Sequence, residues 1–223
     1  MEDAMEMTII GASGKTGIWA VRKAVERGHN VTAVVRNRTK LEGMLTEAGI
    51  SGKVSIVEAD LMNPDSVAAA LKETEVVIYA AGPTRGTPAE MPVRAADHVV
   101  NAMKKGAGRK LVWLTGAGVL DERDGKSGSR KVIRGLMKIM AGKVLKASEE
   151  AYEIVKHSGL IYVVARPPML ADKPGGSGLT ASYTPPKPIP LGRDDLGEFL
   201  VMAAESQEYD NESPLISYTE RSA

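Results

Sequence analysis

The chain has 223 residues, with 29 Lys and Arg against 28 Asp and Glu, a formal net charge of +1, 43% hydrophobic residues and no cysteine. This apolar content with balanced charge excludes a disordered chain and supplies one substantial core, and the missing cysteine excludes disulfides, thiolate metal sites and a Cys nucleophile. The near-zero charge argues against a nucleic-acid binder, no apolar run approaches a membrane span, and residues 1–7, which hold three acids, lack the pattern of a secretory leader, so a cytoplasmic globular protein is expected.

Short β-branched runs alternate with longer amphipathic stretches. Residues 7–10 predict a first strand. Residues 14–27 predict a helix with Ile18, Val21 and Val25 on one face and Gly28 as its stop. Strands at 31–35 and 54–57 flank a helix over 37–48. Asn63-Pro64 reads as a cap followed by proline at the first helical position, opening a helix to about 72. A strand at 76–80 follows. Thr87-Pro88-Ala89-Glu90 matches a capping box at the head of a helix to about 105. Strands at 110–114 and 160–165 come next. Residues 167–190 contain seven of the twelve prolines and read as irregular, a substrate-side loop over 166–192. A helix over 194–205 and a short strand at 215–218 close the chain. The continuous apolar strand runs indicate a parallel sheet covered on both faces, and with no linker or repeat, residues 1–223 read as one domain.

Between the first strand and helix lie Gly11, Ala12, Ser13, Gly14, Lys15, Thr16 and Gly17. Glycines at this spacing suit a tight turn, close backbone approach to a pyrophosphate and helix–strand packing. The helix N-terminus then offers free N–H groups to the phosphates. Gly14-Lys15-Thr16 mimics the end of a P-loop, but that motif needs glycine at position 9, which is isoleucine. A glycine-rich turn without a ligand is the plain alternative.

A site preferring NAD carries an acid about 20 residues on, at the end of strand two. Here the strand ends in Arg36, with Arg38 and Lys40 following. A guanidinium there forms charge-assisted bonds to a 2′-phosphate, which favours NADP(H). The alternative is a solvated basic loop.

At this point the chain resembles the atypical short-chain dehydrogenase/reductase superfamily, in its NmrA-like NAD(P)-binding, biliverdin-IXβ reductase/flavin reductase branch. The resemblance rests on GASGKTG at 11–17 and VVRNRTKL at 34–41. It rests also on His157-Ser158-Gly159-Leu160 with Arg166-Pro167-Pro168, on Ala171-Asp172-Lys173-Pro174, on Asp195-Leu196-Gly197-Glu198-Phe199, and on Glu208-Tyr209-Asp210. It implies a Rossmann-type, doubly wound α/β fold. It further implies phosphate contacts from Ser13, Lys15 and Thr16, a 2′-phosphate contact from Arg36 and Lys40, and Asp60-Leu61 beside the adenine. Ala80-Ala81-Gly82 would pass near the ribose. Leu114-Thr115-Gly116 and Pro167-Pro168-Met169 would border the nicotinamide.

Short-chain reductases pair a tyrosine with a lysine four residues on, the lysine lowering the phenol's pKa. Tyr152 and Lys156 have that spacing, but Lys156 lies only ten residues before Arg166. The resemblance puts the pair nearer Val144 and Ser148, so Tyr152 and Lys156 read as helix-surface residues. The branch itself relies on a serine after the strand-five threonine and a histidine after the prolines, positions that here hold Gly116 and Met169. Thr115 remains as the candidate catalytic hydroxyl. A conjugated acceptor, whose developing charge is delocalised, needs no strong acid.

His29, His98 and His157 are scattered and read as surface or packing residues rather than metal ligands. Residues 130–146 read as a basic amphipathic helix, either a solvated face over a packed one or a mobile flap or partner surface beside the substrate site. Tyr183 is a candidate for the substrate rim. The expected function is NADPH-dependent hydride transfer to a small-molecule conjugated acceptor (a flavin, quinone or tetrapyrrole-like compound). Its rival is an NADP(H)-binding redox sensor without turnover, and a sugar-nucleotide epimerase-like reading fits less well.

Overall fold

Six runs form the main sheet: β1 (Glu6–Ile10), β2 (Asn30–Val35), β3 (Val54–Glu58), β4 (Val76–Tyr79), β5 (Lys110–Leu114) and β6 (Ile161–Ala165). They come from a computed structural model that describes residues 4–84, 86–106, 108–125, 128–173, 176–187 and 189–221, the side chains of 128–141 and 221 excepted. Every pairing is parallel and the order in space is β3-β2-β1-β4-β5-β6. The order reverses between β1 and β4, which makes a Rossmann-type α/β sheet and opens a crevice at the strands' carboxyl ends.

Register explains why both faces are covered. Ala33, Ile9, Ile78, Val112 and Val163 lie side by side across β2, β1, β4, β5 and β6, and the next residue of each strand gives Val34, Ile10, Tyr79, Trp113 and Val164. Successive strand residues point to opposite faces, so each row belongs to its own core. The first packs under α1 (Gly17–Glu26), α2 (Arg38–Glu47) and α6 (Arg193–Glu205), through Val21, Leu41 and Phe199 among others. The second packs under α3 (Pro64–Ala70), α4 (Met91–Lys105) and α5 (Gly128–Lys156), through Val67, Val99 and Tyr152. Among the described residues no helix is long and apolar enough to cross a membrane.

Local signals mostly act where the sequence places them. Asn63 accepts hydrogen bonds from the N–H groups of Asp65 and Ser66, with Pro64 opening α3, though that helix stops at Ala70 rather than near 72. Gly28 follows α1 at φ +87°. Helix α1 starts at Gly17 and not at Gly14. The Gly14 N–H closes a turn onto Gly11 O at 2.8 Å, so helical bonding begins with Ile18 N–H to Gly14 O.

The capping box does not form. Helix α4 begins at Met91, and its N-cap Glu90 makes no side-chain bond. The Thr87 hydroxyl instead accepts the Thr84 N–H at 3.1 Å, closing a separate turn.

The proline-rich segment is also more ordered than its composition indicates. It contains β7 (Leu170–Ala171) and β8 (Gly176–Ser182), and β9 (Leu191–Gly192) follows it. Strand β8 pairs antiparallel with β10 (Leu215–Arg221), and β7 pairs with β9. Its glycines serve that pairing: a Cβ on Gly176 would lie 2.1 Å from Glu220 O. Of the basic stretch 130–146, side chains 130–141 lie outside the described residues.

Candidate functional site

A cleft of about 740 Å³ runs across the carboxyl ends of β1, β2, β4 and β5. Its walls are the loops that the sheet reversal leaves open. Gly11, Ser13, Gly14, Lys15 and Thr16 come from the loop after β1. Arg36 and Lys40 follow β2, Asp60 and Leu61 follow β3, Ala80, Ala81 and Gly82 follow β4, and Thr115 follows β5. With Leu114 and Gly116 on either side of Thr115, fifteen sequence-predicted positions thus meet around one cavity.

The glycine loop is shaped by contact as well as by turn geometry. Gly11 sits at φ +80°, and a Cβ on it would lie 2.6 Å from Ala81 N. Any side chain there would push the β1 and β4 loops apart. Gly17 does not line the cleft. A Cβ on it would fall 2.1 Å from Gly11 O, so its role is to let the first turn of α1 sit against the loop. The N–H groups of Ser13, Lys15 and Thr16 have no acceptor among the described residues. Together they form a backbone cradle at the start of a helix, the arrangement that receives phosphate oxygens.

The three basic residues after β2 separate by role. Arg38 is occupied, giving a bond of 2.5 Å to Ile56 O and pairing with Glu42 at 3.8 Å. Arg36 and Lys40 are exposed, line the cleft and have no side-chain partner among the described residues. The backbone N–H of Lys40 is held by Asn37 Oδ1 at 2.9 Å, which fixes the turn that presents both cations. No acid follows β2 in the chain until Glu42, and the carboxylate that reaches this turn, Glu58 of β3, is occupied by the Arg38 N–H at 2.9 Å. Two free cations, an open backbone cradle and a groove between them fit a dinucleotide with an extra phosphate on its adenosine side.

Pro167, Pro168 and Met169 do not line the cavity. Pro167 is buried, with its carbonyl accepting the Ala117 N–H at 2.9 Å. Met169 is 54% exposed, and its carbonyl accepts the Leu191 N–H at 2.7 Å. That bond aligns β7 beside β9, and strand alternation then turns Leu170 inward and Met169 out. Leu170 and Arg193 form this side of the wall, together with Ser148, Met91 and the stacked pair Tyr79 and Trp113 deeper in. The predicted site contained none of these. Leu170 and Arg193 carry no motif of their own and reach the cleft only through the β7–β9 pairing.

Tyr152 and Lys156 are not plain helix-surface residues. Tyr152 is 1% exposed and its hydroxyl donates to Asp121 at 2.5 Å, while Lys156 Nζ reaches Glu122 at 3.2 Å. Burial and the Asp121 carboxylate push the Tyr152 phenol up to about 12. The Tyr79 phenol, buried against Met91 Sδ at 3.5 Å, is also pushed up, by burial. Neither is an acid matched to neutral pH.

Tyr183 is not on the cleft wall. It donates to Glu212 at 2.5 Å and accepts the Ser213 N–H at 2.8 Å, with Arg123 4.3 Å above its ring. His98 Nδ1 donates to Leu61 O at 2.8 Å and so steadies the wall. Among the described residues no group of His, Asp and Glu is placed to hold a metal ion.

Comparison with known proteins matches this geometry. A curated relative from Bacillus subtilis, the uncharacterized protein YwnB, is 33% identical over 116 residues, 52% of this chain and 49% of its own length. Cinnamoyl-CoA reductase 2 of Arabidopsis thaliana is 24% identical over 81% of this chain and 59% of its own. The chain therefore spans half to three fifths of the length of these relatives. Among solved structures, ChuY, an anaerobillin reductase from Escherichia coli O157:H7, superposes with a TM-score of 0.75 at 17% identity. That match covers 97% of this chain and 98% of that one, a likeness of fold. A family model described as NAD(P)H-binding matches residues 11–207, and the chain belongs to that family of NAD(P)H-binding proteins.

Proposed function

We propose that the protein is an NADPH-dependent reductase that passes hydride to a small conjugated acceptor such as a flavin, a quinone or a tetrapyrrole-like compound. The observation that carries this reading is the unpartnered pair Arg36 and Lys40 at the end of β2, on the same cleft as the glycine loop. Two cations there, with Arg36 standing where an NAD site places its acid, favour a 2′-phosphate over a free ribose hydroxyl.

The bound dinucleotide would supply a hydride, and the acceptor would gain that hydride and a proton from solvent. The chain's own work is placement. Ser13, Lys15 and Thr16 would hold the diphosphate through backbone N–H groups, and Arg36 and Lys40 the 2′-phosphate. Ala80, Ala81 and Gly82 would border the ribose. Thr115, just after β5, and Ser148, on α5, bring hydroxyls to the cleft wall. No strongly acidic proton donor faces this end of the cleft among the described residues. An acceptor whose charge spreads over a conjugated system tolerates that lack, because positioning supplies most of the rate.

The same lack favours a second reading, an NADP(H)-binding redox sensor without turnover. Steady-state oxidation of NADPH and NADH against flavins, quinones and simple carbonyls separates the two. Turnover with a conjugated acceptor and NADPH supports the reductase. Tight NADPH binding with no turnover on any acceptor supports the sensor, and NADH bound as tightly as NADPH removes the 2′-phosphate assignment.

A further inference from the structure

Helices α1 and α6 run side by side in the same direction. At their far ends Arg27 pairs with Glu205 at 2.9 Å. Midway, Gly197 lies so close to α1 that a Cβ on it would come within 2.7 Å of Trp19 Cβ and 2.9 Å of Ala20 N. Both helices therefore open toward the cleft, and Arg193, one turn before Gly197, stands beside the glycine loop. Asp172 joins the two openings. It accepts from Arg193 at 2.6 Å and lies 3.6 Å from Lys15 Nζ. Lys15 and Arg193 both line the cleft. The Asp172 side chain is 72% exposed and that of Arg193 only 17%, so the arginine is packed into the cleft wall while the carboxylate stands in solvent.

We propose that Lys15, Asp172 and Arg193 form an ionic clasp. Arg193 is a second cation for the nucleotide's diphosphate, and Asp172 is a built-in anion that competes with that diphosphate for the same two cations. This rests on the nucleotide reading above and adds to it a residue from α6 and an intramolecular competitor. The clasp carries one negative charge against two positive ones. A diphosphate over the glycine loop offers Lys15 and Arg193 a stronger partner, and the exposed Asp172 swings clear at little cost, since a wet ion pair is weak. Removing the Asp172 charge takes away the competitor, whereas removing the Arg193 charge takes away a ligand.

The two substitutions therefore act in opposite directions. Titration of NADPH fluorescence with Asp172→Asn is expected to show about fivefold tighter binding, and with Arg193→Gln about fivefold weaker binding. That is the size expected for one unit charge a few ångströms from another in a water-filled cleft. Binding should become more salt-dependent in Asp172→Asn and less so in Arg193→Gln. Arg193→Lys should recover part of the loss. Adenosine 2′-monophosphate, which has no diphosphate, should bind all four proteins alike.

Weaker NADPH binding in both Asp172→Asn and Arg193→Gln would show that the clasp merely braces the loop, and would overturn the proposal. Unchanged nucleotide affinity with a raised KM for a carboxylate-bearing acceptor would assign the cations to the acceptor, and would also overturn it. A parent protein that binds neither nucleotide overturns the functional reading itself. A parent that binds NADPH while the variants fail to split overturns the clasp alone.

Discussion

The Tyr152 hydroxyl donates to the Asp121 carboxylate at 2.5 Å, while Ser148 and Ala151, on the turn before it, line the cleft. The tyrosine thus has the spacing of a reductase acid, four residues before Lys156, and the environment of a core residue. Its partner Asp121 is further held by Arg123, through its backbone N–H at 2.8 Å and its Nε at 2.9 Å. Tyr152→Phe removes one buried hydrogen bond and leaves the ring in place. We expect a loss of about 1–2 kcal/mol in urea unfolding, with NADPH turnover and its pH profile between pH 6 and 9 unchanged from the parent. A large fall in kcat, with stability unchanged, would place Tyr152 among the catalytic residues.

The same pair contributes to the loss of stability at extreme pH. Burial pushes the Asp121 carboxyl up, but hydrogen bonds from Arg123 and Tyr152 outweigh it and hold it well below the usual carboxylate range. A depressed native pKa stabilises the fold above the unfolded value and loses that contribution as pH falls through the native one. The Tyr152 phenol is shifted the other way, up to about 12 by burial and then by Asp121. Its contribution is complete below about 10, the unfolded value, and is lost as pH rises toward 12. Thermal melts over a pH series should show both limits. Asp121→Asn should flatten the acid limb.

Arg36 is the sharpest test of cofactor choice, because no other side chain among the described residues engages it. Arg36→Asp restores the acid that an NAD site places at this strand end. NADPH affinity should fall by more than about tenfold, while NADH affinity holds or rises. Lys40→Ala should weaken NADPH alone and by less. Fluorescence titration of both nucleotides checks this, and equal losses for the two would contradict a 2′-phosphate contact.

Tyr79 and Trp113 stack with centroids 3.6 Å apart and ring planes within 3° of parallel. They face each other in register on β4 and β5 and both border the cleft. Of the chain's two tryptophans, Trp113 is the one on the cavity wall, so NADPH binding should quench its emission. Trp113→Phe should remove most of that quenching and keep a stacked ring. Trp113→Ala should cost about 3–5 kcal/mol of stability, as emptying a buried aromatic site does.

Legibility in the sequence followed the range of the interactions. The six sheet strands and the cradle at Gly11, Ser13 and Thr16 were readable because short-range patterns dictate them: apolar runs, glycine spacing and caps such as Asn63. Arg36 and Lys40 were readable because a strand end fixes where the next residues point. The wall made by Leu170 and Arg193 was not, since it depends on β7 finding β9 some twenty residues away. Arg166 shows the same limit. As sequence it belonged to a motif beside two prolines. In the fold it is fully buried, clamped on Asp124 at 2.7 and 2.8 Å and on the carbonyls of Val119 and Ser213. That clamp is set by long-range packing, which no local pattern encodes.

Gly116 tests whether proton supply limits the choice of acceptor. It lines the cleft beside Thr115, and a Cβ on it meets nothing within 4 Å. A serine there fits without displacing a neighbour and adds a further hydroxyl beside that of Thr115. Gly116→Ser should leave stability within about 0.5 kcal/mol of the parent, as substitutions into open space do, with NADPH affinity unchanged. If proton supply is what would limit the proposed reaction to conjugated acceptors, turnover of a simple carbonyl should rise by about tenfold or more, at the low end of general-acid effects. Flavin turnover should hardly move, because on the proposed reading solvent would supply that proton. A variant that folds, binds NADPH and gains nothing on carbonyls would show that acceptor placement, and not protonation, sets the limit.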